Sequence, residues 1–398
     1  MRIESPRYTE RFGSVRINDV QQVLELDSGR AKELLPHENI AVQKIDEDIL
    51  KSFEEKMAIV IPIKDEKLKL FEGVVSGVPH DCLIIVVSNS QKKGIDRFRM
   101  ERDTLNQYCH FTRREAMIFH QKDPALAQSL LESGYTDLLG EDELIGDGKA
   151  EGMVAAMLMA MLAKKEYVGF VDADNYFPGA VWEYVRCFAS GFSMAKSSYA
   201  MVRILWRYKP KISVGMYFRK WGRVSEITNR CMNSLISSKT GFETEIIKTG
   251  NAGEHAMSLK LAEILPYASS YAVEPQELVS IFEGFGGVLP MAHPNAAKDG
   301  VEIFQIETRN PHLHEEKGGQ HLEGMLLPGL GAIYHSPLCE VETKQMILGE
   351  LRQQGIIKPR ERPPKPHVSA PLRKMNLKKF SKAMEEYMES YSALREER

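Results

Sequence analysis

The 398-residue chain has five cysteines, and Cys82, Cys109, Cys187, Cys231 and Cys339 are scattered, odd in number and never in C-x-x-C spacing. That excludes a disulfide framework and a structural zinc site, and it fits a reducing cytoplasm. Long apolar runs are also missing. The longest, Met153 to Ala163, falls well short of the roughly 20 residues a spanning helix needs, so it reads as a buried helix whose methionines pack. The first residues are charged and contain no apolar stretch, so no secretory leader is expected. Neither sign of charge dominates: 52 Lys and Arg against 55 Asp and Glu leave −3. This gives no electrostatic footprint for nucleic acid or an anionic membrane. No internal repeat is evident, and the G-x-x-x-x-G-K-[ST] spacing of a Walker loop is absent.

What is present is enough core for one large α/β domain with additions, or for two domains. Val15-Arg16-Ile17 and the stretch Val20 to Leu26 alternate like strands, and Asp46 to Lys56 reads as a short amphipathic helix. Met57 to Pro62 is a buried strand followed by a helix through Val75, and Cys82 to Val87 is a second buried strand followed by a helix from near Ile95. This β-α-β-α alternation predicts a mostly parallel, doubly wound sheet. Residues 123–145 read as helical, and Gly146-Asp147-Gly148-Lys149 then opens the apolar helix. A glycine turn and a lysine at a helix start can hold phosphate.

The centre of the pattern is Tyr167-Val168-Gly169-Phe170-Val171-Asp172-Ala173-Asp174-Asn175. An apolar strand carries two carboxylates to the carboxyl edge of the sheet, where such folds bind ligands. Held together, like charges call for a cation, and Mg²⁺ prefers sparse carboxylates plus a substrate's phosphates. A solvated acidic turn is the alternative.

Beyond it, Arg203 to Arg223 interleaves basic and aromatic residues and ends in Gly222-Arg223-Val224-Ser225. That is either a solvated basic face or a pocket for a small anion gripped by arginine. Gly250 to His255 is expected to open a helix, Ala256 to Ile264, with Glu254 as a cap or a ligand for sugar hydroxyls. A strand at 301–306 leads into Arg309-Asn310-Pro311-His312-Leu313-His314, where either histidine can serve metal or phosphate. Residues 358–374 are proline-rich and basic, an extended linker or arm. The last helix, Leu377 to Glu397, reads as an accessory or subunit contact, and a homodimer stays open.

Taken together, Asp172-Ala173-Asp174-Asn175-Tyr176, Gly222-Arg223-Val224-Ser225, Gly253-Glu254-His255 and Arg309 to His314 resemble the mannosyl-3-phosphoglycerate synthase family of GT-A glycosyltransferases. The resemblance covers most of the chain. It implies a nucleotide-sugar-binding α/β region at 1–200, an acceptor- and metal-binding region at 201–357, and a C-terminal extension at 358–398. It also implies retaining transfer of mannose from GDP-mannose to 3-phosphoglycerate, a step in making the compatible solute mannosylglycerate, with Mg²⁺ or another divalent cation such as Mn²⁺ or Co²⁺. Donor contacts would come from Pro62, Asp65, Glu66, Ser88, Lys149, Asp172 and Glu254. The acceptor would be held by Gly222, Arg223, Val224 and Ser225. Asp174 with His312 or His314 would hold the metal, and Asp172, Asp174, Glu254 and Arg309 would serve the chemistry, Arg309 near the diphosphate.

Two rivals share this pattern: a glucosyl-3-phosphoglycerate synthase using a glucose nucleotide, and a non-catalytic sugar-nucleotide-binding subunit. A nucleotidyltransferase would want a glycine-rich basic loop where Pro62-Ile63-Lys64-Asp65-Glu66 stands. An aspartyl-phosphate phosphatase would want its D-x-D-x-[TV] on an early strand.

Overall fold

The computed structural model describes residues 1–26, 41–206, 211–213, 216–218, 223–313, 318–387 and 392–394. The chain opens with strands β1 (Arg2–Glu4), β2 (Thr9–Phe12), β3 (Val15–Glu25) and β4 (Val42–Lys44), then α1 (Glu47–Glu54). The two alternating stretches after Val15 are thus one continuous strand. The βα units follow as β5 (Met57–Ile63), α2 (Leu68–Gly77), β6 (Leu83–Ser88), α3 (Arg97–Thr112), β7 (Ala116–His120) and α4 (Pro124–Glu132). The helix expected over 123–145 stops at Glu132, and Gly134 then takes a positive φ of 76° that glycine alone adopts readily.

The middle of the chain supplies α5 (Lys149–Leu162), β8 (Tyr167–Phe170), α6 (Pro178–Met194), β9 (Ala200–Trp206), the hairpin β10 (Lys211–Ser213) and β11 (Met216–Phe218), and α7 (Arg223–Thr240). Then come β12 (His255–Ser258), α8 (Leu259–Ala262), β13 (Tyr267–Ala268), α9 (Val273–Phe285), α10 (Pro294–Asp299) and β14 (Val301–Thr308). Last are α11 (Gly318–Tyr334), α12 (Val341–Gln353), β15 (Val368–Ser369), α13 (Leu377–Tyr387) and β16 (Ser392–Leu394).

One sheet runs β16-β7-β6-β5-β8-β12-β9-β14-β3-β1-β4, with β2 added beside β3. Strands β7, β6, β5 and β8 are mutually parallel, as are β9, β14 and β3. Between these two blocks β12 runs antiparallel, pairing His255 with Phe170 on one side and with Arg203 on the other. The helix expected over Ala256–Ile264 is therefore a strand followed by one short helix. A four-residue apolar run carries no period of its own, and the gap between β8 and β9 decides its state. The reversal matters for the site. An antiparallel strand begins at the edge where its parallel neighbours end, so Gly253 and Glu254 enter opposite the aspartate pair.

Apolar helices cover both faces. α5 is buried along its whole middle from Ala150 to Ala160, as its unbroken hydrophobicity demands, and packs on one face with α9 and α11. α6 packs on the other with α1 and α2. The proline-rich arm is tied down rather than loose. β15 pairs with β13, the Ala370 N–H donates to Asp137 at 2.7 Å, and His335 bonds the Pro363 carbonyl at 2.8 Å. Phe380, Ala383 and Met384, spaced on one helical face, are buried as α13 packs on α4. That stripe is spent within the chain. Among the described residues no helix is long and apolar enough to cross a membrane.

Candidate active site

The apolar strand β8 delivers Asp172 and Asp174 just past its last paired residue, as the alternation of buried and polar positions predicts. Val171 still bonds β5, its N–H on the Val60 carbonyl at 3.0 Å. Asp174 is buried, whereas the Asp172 side chain keeps a third of its surface exposed, 33%. Asn175 locks the turn between them: its amide donates to the Asp172 carbonyl at 2.9 Å and to Glu254 Oε1 at 3.1 Å.

Lys149 stands at the first position of α5, where the turn before it ends at Gly148. Its amine donates to Asp172 Oδ1 at 2.7 Å and to Glu274 Oε1, at the start of α9, at 3.1 Å. Burial opposes its charge, but the two carboxylates outweigh that and hold the amine's pKa well above its ordinary value. Gly253 lets the backbone come close to the pair: a Cβ there would meet Asp172 Oδ2 at 3.0 Å, so that carboxylate would have to give way. Next to this glycine Glu254 is 1% exposed. Burial, then the Asp172 charge, pushes its carboxyl up to about 8 against the Asn175 hydrogen bond and Lys149. Among the described residues this gathers three carboxyl groups, Asp172, Glu254 and Glu274, and one amine at the end of one strand.

The histidine segment lies against it. The Tyr176 N–H donates to the Leu313 carbonyl at 3.1 Å, and His312 Nδ1 is 4.0 Å from Glu254 Oε1. His312 is buried, stacked on Trp206 with ring centroids 4.1 Å apart, and its Nδ1 is 3.1 Å from the Tyr184 hydroxyl. Metal-ligating histidines commonly have one nitrogen fixed in this way. The approach to His312 is set by Glu183 on α6, which accepts from the N–H groups of Arg309 and Asn310 at 2.7 and 2.8 Å. Arg309's side chain turns elsewhere, its guanidinium on the Leu24 carbonyl, so the structure does not bring it to the aspartate pair. His314 lies outside the described residues.

Among the described residues no three His, Cys, Asp or Glu side chains gather into a closed metal cage. Asp174 and His312 fit the sparser pattern, in which a divalent ion takes one or two protein ligands and completes its shell with phosphates. The surplus of carboxylates around them is the charge such an ion would balance.

At the other end of the edge, Asp65 is exposed and Pro62 and Glu66 are half-buried. Ser88, expected to touch a nucleotide, is completely buried, and its hydroxyl donates to Glu101 at 2.7 Å. It is not on the ligand surface. On the acceptor side Gly222 and the Arg223 side chain lie outside the described residues. Val224 is a core residue, and Ser225 sits in the first turn of α7. Arg203, grouped with the basic stretch, is fully buried on Glu277 and belongs to no surface pocket.

Sequence reasoning missed Glu274, Tyr184 and Glu183. α6 offered a signal for the last two, since a charged and a hydroxylic residue stand side by side on a helix apolar almost all round. Glu274 offered none, as it meets Lys149 from 125 residues away.

A family model described as mannosyl-3-phosphoglycerate synthase matches residues 5–384. The mannosyl-3-phosphoglycerate synthase of Pyrococcus furiosus is 46% identical over 393 residues, 98% of either chain. That of Aeropyrum pernix is 37% identical over 392 residues, 98% of this chain and 99% of its own. Among solved structures, glucosyl-3-phosphoglycerate synthase from Mycobacterium tuberculosis with Mn²⁺, UDP-glucose and phosphoglyceric acid is a distant likeness. It is 17% identical with a TM-score of 0.47, covering 81% of this chain and 93% of that one.

Proposed function

Because the chain belongs to the mannosyl-3-phosphoglycerate synthase family, we propose that it transfers mannose from GDP-mannose to the hydroxyl of 3-phosphoglycerate, with retention. The observation that carries this reading is the convergence of Asp172, Asp174, Glu254, Lys149 and His312 at the end of β8. The nucleotide lies along the ends of β5 and β6, and its diphosphate reaches the N-terminus of α5. The acceptor phosphate sits at the N-terminus of α7, whose first-turn N–H groups can receive an anion and whose first turn carries Ser225.

Asp174 and His312 would hold the divalent cation, whose chemistry there would be charge neutralisation at the departing diphosphate. Lys149, kept protonated by Asp172 and Glu274, supports the same charge as it develops. The bond from mannose C1 to the diphosphate oxygen breaks as the acceptor oxygen bonds C1 from the same face. The acceptor's proton passes to the departing phosphate oxygen. Glu254 is placed to bind a mannose hydroxyl. Same-face attack needs no covalent glycosyl-enzyme, and a trapped adduct on Glu254 would refute it.

The five buried, unpaired thiols suit a cytoplasmic protein. Incubation with GDP-mannose, 3-phosphoglycerate and Mg²⁺ yields a phosphorylated mannosyl product and GDP. GDP-glucose and UDP-glucose in competition measure the donor preference. A clear preference for a glucose nucleotide would transfer the assignment to a glucosyl-3-phosphoglycerate synthase, and no turnover with any of them would end it.

A further inference from the structure

We propose that Glu101 on α3 is the positioning residue for the nucleotide end of the donor site, acting through Ser88, Ser90 and Asp65. The proposal rests on the functional reading above and adds a residue to it that touches no ligand. Glu101 is completely buried. A buried carboxylate must have its oxygens satisfied, and each takes a serine hydroxyl: Ser88 at 2.7 Å and Ser90 at 2.6 Å.

Burial raises the Glu101 pKa and the two serine hydroxyls lower it, and both hydroxyls donate to its oxygens. That turns the serine lone pairs outward to receive backbone N–H groups. Ser90 Oγ accepts from Asp65 at 2.7 Å, and Ser88 Oγ accepts from the Ser90 N–H at 3.2 Å. Two loops from two different strands are thereby tied to one helix. The tie helps to hold Asp65, whose φ of 61° is a left-handed conformation that aspartate tolerates better than most residues with a Cβ but still at a cost. The Gln91 N–H on Asp65 Oδ1 at 3.1 Å, and the His120 ring on the Ser90 carbonyl at 2.9 Å, complete the frame. Ser88 is therefore a relay, which explains why a residue at the end of a ligand-edge strand has no exposed surface.

Glu101→Gln keeps shape and volume but places an N–H donor where Ser88 or Ser90 needs an acceptor, so one hydroxyl must turn its proton away and its contact with the backbone N–H is distorted. By calorimetry with Mg²⁺ present, GDP affinity should fall about tenfold, the order of one lost hydrogen bond to an ordered loop. The KM for GDP-mannose should rise in step, with kcat and the KM for 3-phosphoglycerate within about twofold. A merely structural role would lower the melting temperature without separating donor from acceptor. If Glu101→Gln does not fold, Ser90→Ala removes the Asp65 tie and the Ser90 bond to Glu101 while keeping Ser88 in place, and should show the same donor-selective loss. A folded variant that binds GDP as tightly as wild type, or whose loss falls on kcat, overturns the proposal. Wild type that binds no GDP overturns the functional reading and this proposal with it.

Discussion

Helix α9 carries two ionic clusters three residues apart, and only one of them faces the aspartate pair. Glu274 takes Lys149, which in turn takes Asp172, and the side chains of that pair remain 15% and 33% exposed. Glu277 takes Arg203 at 3.2 Å and His255 at 3.1 Å, with no exposure on any of them. The second cluster is closed: the Arg203 guanidinium also donates to the carbonyls of Thr249 and Glu274, and His255 Nδ1 meets those of Ala252 and Gly253. It holds the 249–254 loop in place and asks nothing of a ligand. The first cluster, among the described residues, keeps a face open to solvent. The same residue types on one helix make a strut in one case and a site in the other, and access to solvent is the difference.

Breaking the strut should cost the most. Arg203→Leu leaves the buried Glu277 with only His255 of those two partners and should lower stability by about 3–5 kcal/mol, read by denaturant melts. The fraction that still folds should lose less kcat than Lys149→Met does, because Arg203 reaches Glu254 only through its loop. Breaking the open cluster should act the other way. Lys149→Met should cut kcat about 10²–10³-fold, the scale of one lost charge-stabilising donor, with a smaller stability loss because water reaches Asp172. If Lys149→Met chiefly unfolded the protein while Arg203→Leu chiefly slowed it, the contrast between the clusters would be reversed.

Glu54 sharpens the comparison from outside both clusters. Arg186 Nε is 3.1 Å from Glu54 Oε1 but out of line for a hydrogen bond, and Arg186 spends its outer nitrogens on Glu47 at 2.7 Å each. Burial therefore wins over the guanidinium, and the Glu54 carboxyl is pushed up from 4.5 to about 7. Within that window the folded chain keeps a proton that the unfolded chain releases. Its stabilising effect is complete below the unfolded value and is lost as pH rises through the folded one. Glu54→Gln should remove a pH dependence of up to about 3 kcal/mol in unfolding free energy without changing turnover. Melts across that range check it.

Much of this was legible in the residues. β5, β6 and the strand before Asp172 are continuous apolar runs ending in polar turns, and such runs have few alternatives. The pairing of the aspartate turn with the His312 segment was legible as chemistry, since an acidic pair and a histidine after a strand both suit one cation. β12 was not, because four residues cannot show a period and the sheet alone makes them a strand. Nor was the fate of Ser88, since a hydroxyl at a strand end can face a ligand or a helix, and only the buried Glu101 decides which. The partners of Lys149 and His312 arrive from helices far along the chain, where no local pattern marks them.

Calorimetry of GDP with Mg²⁺ and with a chelator, on wild type and on Asp174→Ala, tests the central claim most directly. The wild type should bind GDP far more tightly with the metal than without, and the folded Asp174→Ala protein should lose that difference along with turnover. Equal binding with and without metal in the wild type, or a metal effect undiminished in Asp174→Ala, would contradict the account.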